Sequence, residues 1–119
     1  MYTKDVKTKM TLREITKDAL SEILKKHLSW INDEPGGEKA DLSYADLRHA
    51  DLSSANLDYS AFPLWCGSFG VKVDIRLGAQ LAYHFCRLDT ENEDVKKAQK
   101  ALKILANKFH RVKECGEIE

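Results

Sequence analysis

No apolar run in the chain approaches the ~20 residues needed to cross a bilayer, which excludes a membrane-spanning helix. The opening residues, MYTKDVKTKM, are polar and charged, so no secretory leader is expected. Cysteine is scarce: there are three, an odd number without framework spacing, which excludes a disulfide scaffold and predicts a reducing, cytoplasmic setting. There is no C-x2-C or H-x3-H pair of the kind on which zinc sites are built. A phosphate-binding loop, a paired-carboxylate motif and a dinucleotide fingerprint are missing as well. Net charge is also absent, because 19 basic and 19 acidic side chains balance. At 119 residues the chain is expected to form one domain, residues 1–119.

What is present is a five-residue unit, repeated from 40 to 62: ADLSY, ADLRH, ADLSS, ANLDY and a degenerate SAF. Leu42, Leu47, Leu52 and Leu57 recur in step, followed by Phe62. Ala40, Ala45, Ala50 and Ala55 precede them by two, followed by Ser60. A spacing of five belongs neither to a helix nor to an alternating strand. It fits a square coil in which each repeat forms one side, with the Leu and the small residue inward and the rest facing solvent. Narrow corners would keep the Ala positions small. Four repeats complete one circuit, and a single circuit stacks on nothing above or below, so flanking segments must cover its ends.

The flanks read as helices. Thr11-Leu12-Arg13-Glu14 has the form of a capping box, predicting a helix to about Ile31. Leu12, Ile15, Ala19, Leu20, Ile23, Leu24, Trp30 and Ile31 share its apolar face. His27 falls inside that face, where a core histidine bonded to backbone is expected. Pro35 and two glycines make 32–39 a turn. Segment 63–73 reads as an apolar loop, with Trp65 and Cys66 plugging the far opening of the coil, and a short strand at 70–73. Asp74 would cap a strongly apolar helix over 75–88, buried on two sides. Thr90-Glu91-Asn92-Glu93 has the form of a second capping box, opening a helix to about Val112, and the tail 117–119 is expected to fray.

Candidate chemistry is thin. Cys66, His84, Cys86, His110 and Cys115 are the residue types that bind zinc, but their spacing is wrong. Cys86 lies on an apolar arc as a small hydrophobe and His84 on the opposite stripe. A nucleophile would be Cys66, with His84 or His110 as base, although nothing in the sequence brings them together. Lys96, Lys100, Lys103 and Arg111 form a basic stripe that would track phosphates, or contact another partner. It lacks interleaved aromatics, so a solvated helix face is the plainer reading. Residues 31–62 hold seven acidic and two basic groups, whose plain reading is a solvated surface, with Asp or Asn before each central Leu, and whose functional reading is an acidic docking surface for a basic partner. Among these acids project Tyr44, Arg48, His49, Asp51, Ser54 and Tyr59. Tyr and Arg are frequent anchors in protein interfaces, so Tyr44, Arg48, His49, Asp51 and Tyr59 are the candidate protein-binding residues.

The A(D/N)LXX units resemble the pentapeptide-repeat family, whose members form right-handed quadrilateral β-helices. The resemblance implies an α+β fold: about one turn of that β-helix over 40–62, capped by an N-terminal helix (1–31) and two C-terminal helices (74–119), with 63–73 as the loop and short strand between. The order of parts, with HLSWI before the repeats and LWCG after them, is similar to small phage and prophage pentapeptide-repeat proteins of Gram-positive bacteria, which imply no assigned activity. Longer members mimic duplex DNA and bind gyrase with an acidic rod of many turns. A single turn without net charge is not expected to do so. The reading that results is a non-enzymatic, cytoplasmic, phage-derived protein-binding module. It would need no cofactor or metal and no membrane, and would occupy a surface of a host or defence protein, as anti-CRISPR inhibitors do. The alternatives are a Cys/His enzyme or metal protein centred on Cys66, His84 and His110, and a nucleic-acid binder using the basic stripe.

Overall fold

The computed structural model describes residues 13–64 and 66–119. Cα packing divides the chain into two compact units, Met1–Lys72 and Val73–Glu119, and each is described by itself.

In the first unit, strand β1 (Arg13–Glu14) leads into helix α1 (Lys17–Ile31). The N-cap of α1 is Thr16, whose hydroxyl accepts from the Ala19 N–H at 3.1 Å. The capping box expected at Thr11 is therefore replaced by a strand at 13–14. Thr11 and Leu12 themselves lie outside the described residues. Two residues of strand are too few to carry an alternation pattern, which is why the sequence signal missed them. β1 pairs in parallel with β2 (Ala45–Asp46), Arg13 against Ala45 and Glu14 against Asp46. Only Leu20 and His27 of α1 are buried, so its apolar face is shallower than the helical spacing implies.

The repeat behaves in its interior as its spacing predicts. Leu42, Leu47, Leu52 and Leu57 are buried, as are Ala40 and Ala45. After each Leu the chain turns: the N–H groups of Ala45, Ala50, Ala55 and Ser60 donate to the carbonyls of Leu42, Leu47, Leu52 and Leu57 at 2.8–3.1 Å. The third residue of every turn, Tyr44, His49, Ser54 and Tyr59, has φ between 59° and 67°. Positive φ at that position alone is the signature of a type II turn, usually met by Gly or Asn. The residue before each Leu closes the motif. The side-chain oxygens of Asp41, Asp46, Asp51 and Asn56 accept from the N–H two residues on, at 2.9–3.2 Å. Asp or Asn is thus a turn-former here, because a short carboxylate or amide can reach its own backbone.

The circuit does not stand unstacked. The N–H groups of Leu42, Leu47, His49 and Leu52 donate to the carbonyls of Ala61, Gly67, Phe69 and Lys72, about twenty residues on. Asp41 and Asp51 form parallel bridges with Ala61 and Lys72. Residues 61–64 and 66–72 therefore lie along the repeat as a further layer, although they have lost its sequence pattern. A 3-10 turn, Cys66–Ser68, sits within that layer. On the other side, the Arg13 N–H donates to the Tyr44 carbonyl at 2.9 Å, and its guanidinium donates to the carbonyls of Asp41 and Ser43. His27 completes this end. Its Nδ1 accepts from the Ala40 N–H at 2.9 Å and its Nε2 lies 2.7 Å from the Asp58 carbonyl oxygen. The carbonyl can only accept and the amide can only donate, so His27 is the neutral tautomer with hydrogen on Nε2.

The loop after α1 aims Ala40 at His27. Glu34 N–H donates to Ser29 O and Glu38 N–H to Lys26 O, folding the loop back along the helix. Gly37 has to be glycine, since a Cβ there would lie 2.4 Å from the Trp30 backbone nitrogen.

The second unit holds α2 (Ile75–Cys86), α3 (Glu93–Ala106) and a short α4 (Val112–Cys115). Asp74 caps α2, its carboxylate accepting from the Leu77 N–H. Ile75, Leu81 and Leu88 are exposed, so the two-sided burial expected for this segment is not found. The N-cap of α3 is Asn92 rather than Thr90. Asn92 Oδ1 accepts from Val95 N–H at 3.0 Å, while Thr90 Oγ1 receives the Asn92 N–H. The core is Ala82, Tyr83, Ala106 and Phe109, with Leu102, Leu105 and Ile118 packed against it. α3 ends at Ala106, not Val112, because Asn107 turns to the tail. Its amide donates to the Ile118 carbonyl and accepts from the Ile118 N–H, at 2.9 and 2.8 Å. Tyr83 OH adds a bond to the Gly116 carbonyl at 2.7 Å. The tail is thus tied down rather than frayed.

Leu52→Ala should cost about 2–5 kcal/mol, the usual range for a buried Leu truncation. Ala45→Leu should lower the melting temperature clearly, because Ala45 has no exposed surface into which a larger side chain could grow. Thermal unfolding of both variants checks this. An Ala45→Leu variant that melts with the wild type would contradict the account of the interior.

Candidate functional site

Tyr44, Arg48, His49, Asp51 and Tyr59 are all exposed in the first unit. The hydrogen bonding of the turns fixes the backbone beneath them. Tyr44 is 52% exposed and Tyr59 is 61% exposed, both from left-handed turn positions.

Backbone pairing joins residues about twenty apart rather than neighbouring repeats. Tyr44, His49, Ser54 and Tyr59 stand at four consecutive turns. The structure instead makes two groupings. Arg48 and His49 line an open depression of about 440 Å3 with Glu14, Ile15 and Asp46. Tyr59 meets Trp30 edge-on with ring centroids 6.1 Å apart. Trp30 in turn stacks on the buried His27 at 5.6 Å and 20°, and the Lys39 ammonium lies 5.8 Å from its ring centroid. Trp30 was placed by helical spacing on the core face, yet it is 38% exposed. No signal in the sequence marked it as a surface residue.

Local electrostatics are set by the turn chemistry. Arg48 clasps Asp46 with two bonds, Nε to Oδ1 at 2.9 Å and a terminal nitrogen to Oδ2 at 2.7 Å. This guanidinium, then the Arg48 N–H, hold the Asp46 carboxyl at about 2, well below its ordinary range. The same pairing raises Arg48. Arg48 therefore already has a carboxylate partner within its own chain. The Ser43 hydroxyl and N–H lower Asp41 in the same way, and the Ser53 N–H and hydroxyl lower Asp51.

Residues 38–62 match the family model for pentapeptide repeats (8 copies). The chain carries pentapeptide repeats. No curated protein and no solved structure matches it. Pentapeptide repeats are generally non-enzymatic structural modules and often serve protein–protein interaction. Among the described residues, no helix is long and apolar enough to cross a membrane.

The other candidates fare differently from one another. Cys66 is exposed, so it does not plug an opening, and Leu64 beside it is 95% exposed. Trp65 lies outside the described residues. In the second unit His84 and His110 both contact Phe109, with centroids 5.7 and 5.0 Å away. Cys86 is half-buried. Its thiol donates to the Gln99 carbonyl at 3.2 Å, and burial pushes its pKa up, which disfavours the reactive thiolate. Gln99 also donates to the carbonyls of Phe85 and Leu88, covering the end of α2. Among the described residues, no three His, Cys, Asp or Glu side chains are grouped to hold a metal. The basic stripe is broken. Lys96 pairs with Glu93 at 3.8 Å, whereas Arg111 lies beyond the end of α3 and pairs with Glu114 at 3.1 Å. Lys100 and Lys103 remain on the helix.

Because Asp46 has a folded-state pKa below its unfolded value, its contribution to stability is full above pH ~4 and lost as pH falls through about 2. Carboxyl titration by NMR should place the Asp46 midpoint near 2 in the wild type. In Arg48→Ala it should move up toward the ordinary carboxylate range. An unmoved midpoint would dissociate Arg48 from the effect.

Proposed function

We propose that this is a small, non-enzymatic protein-binding module. Its pentapeptide repeats would form about one turn of a right-handed quadrilateral β-helix, used as a rigid frame for outward side chains. The observation that carries this reading is the set of tight turns in which Tyr44, His49, Ser54 and Tyr59 hold positive φ. Each turn is closed by a backbone bond within the chain, from Ala45, Ala50, Ala55 or Ser60 to the preceding Leu carbonyl, so little conformational freedom is left to lose when the side chains are bound. Exposed tyrosines on such a frame are suitable anchors. The partner proposed is a host or defence protein, occupied and inhibited in the cytoplasm in the manner of an anti-CRISPR inhibitor. That step rests on the lack of catalytic motifs and the similarity in order of parts to small phage proteins. The broken basic stripe, with Arg111 paired to Glu114, makes the nucleic-acid reading weaker.

The test is affinity capture from a bacterial lysate, followed by binding measurements with the purified captured protein. A variant carrying Tyr44→Ala and Arg48→Ala should keep its fold and bind about 2 kcal/mol more weakly, if either is an anchor. Equal affinity of the two proteins would remove Tyr44 and Arg48 from the interface. A chain that captures nothing stoichiometrically would overturn the proposal.

A further inference from the structure

We propose that the Trp30 ring, with Tyr59 at its edge, is a docking point for an arginine-bearing segment of a partner protein. This rests on the protein-binding reading above and names the chemistry of what is bound. Trp30 has a stacked neighbour and a cationic one. One neighbour is His27, stacked at 5.6 Å and completely buried, which fixes the indole plane. Another is Lys39, whose ammonium lies 5.8 Å from the ring centroid while the side chain remains exposed. The site therefore already holds a cation, supplied by the chain itself.

Two features favour replacement of that resident by an incoming arginine. A planar guanidinium stacks on an indole face and is less strongly hydrated than an ammonium, so it is the better occupant. The surroundings are acidic. The loop hydrogen-bonded back onto Lys26, Ser29 and Trp30 carries Asp33, Glu34 and Glu38. Over residues 31–41 four acidic groups, Asp33, Glu34, Glu38 and Asp41, accompany one basic group, Lys39, and Glu38 pairs with Lys26 of α1 at 3.5 Å. Moving Lys39 aside would leave an aromatic face next to a loop of net negative charge, which complements a basic segment. Tyr59, 61% exposed and edge-on to Trp30, supplies apolar surface for the methylene stem of the incoming side chain. Gly37 keeps the loop that carries these acids pressed on the Trp30 backbone.

The test is an NMR titration of the full chain with triarginine, trilysine and tricitrulline, following the Trp30 indole N–H. Trp30→Leu serves to assign the signal. Triarginine should give a saturable shift that weakens as salt is raised. Trilysine should bind several-fold more weakly, and tricitrulline, equal in shape but uncharged, should give none. Lys39→Ala should bind triarginine several-fold more tightly, because the internal competitor is gone and the patch is more acidic. Tyr59→Ala should weaken the response. No saturable shift with triarginine, an equal response to tricitrulline, or weaker binding by Lys39→Ala would each overturn the proposal. If a partner is nevertheless captured and lost with Tyr44→Ala and Arg48→Ala, the protein-binding reading stands without this docking point.

Discussion

One imidazole closes the open end of the repeat. A turn-built layer leaves backbone donors and acceptors along its rim, and burying them without partners costs about 1–3 kcal/mol each. His27 meets one of each, the Ala40 N–H and the Asp58 carbonyl, from a helix that precedes the repeat in sequence. Arg13 serves three more carbonyls, one through its N–H and two through its guanidinium. Histidine suits this place because its neutral ring offers a donor and an acceptor on opposite sides. A Leu at 27 would fill the space and satisfy neither.

Much follows from that closure. The helix must run far enough to place residue 27 over the rim, and the loop must double back to bring Ala40 within reach. Gly37 permits the doubling back, because any Cβ there would strike the Trp30 backbone. Trp30 then stacks on His27 and brings an indole to the surface beside Tyr59. The exposed Trp30–Tyr59 pair is thus a by-product of the way this end is covered. The further layer at 61–72 does the equivalent work on the opposite rim with plain backbone bonds.

The interior of the repeat was legible in the sequence, because a spacing of five leaves a periodic trace in Leu and Ala. The role of His27 was legible too, as a polar residue within an apolar arc. Other features left no such trace. β1 is two residues long, and the 61–72 layer keeps the geometry of the repeat without its residues. The Asp positions looked like solvated decoration, although an Asx at a fixed offset before a turn is a recognisable hydrogen-bonding device. Side-chain competition for the backbone decided the helix ends. Thr16 and Asn92 cap where boxes at Thr11 and Thr90 were expected. Asn107 diverts to Ile118, although the apolar spacing continues to Val112. For the site, residue types and exposure were legible but grouping was not. The five candidate anchors, close in sequence, fall into different groupings, and Trp30, ten residues before the repeat, joins one of them.

The central claim is that a neutral His27 joins Ala40 to Asp58 across the rim. Nitrogen-15 NMR of the histidine rings, with hydrogen exchange of the Ala40 amide, tests it directly. The account predicts that the His27 ring carries its hydrogen on Nε2, with Nδ1 bare and coupled to the Ala40 N–H. It also predicts that the Ala40 amide exchanges among the slowest in the first unit. A ring protonated on Nδ1 at neutral pH, or an Ala40 amide that exchanges as fast as the surface turns, would contradict it.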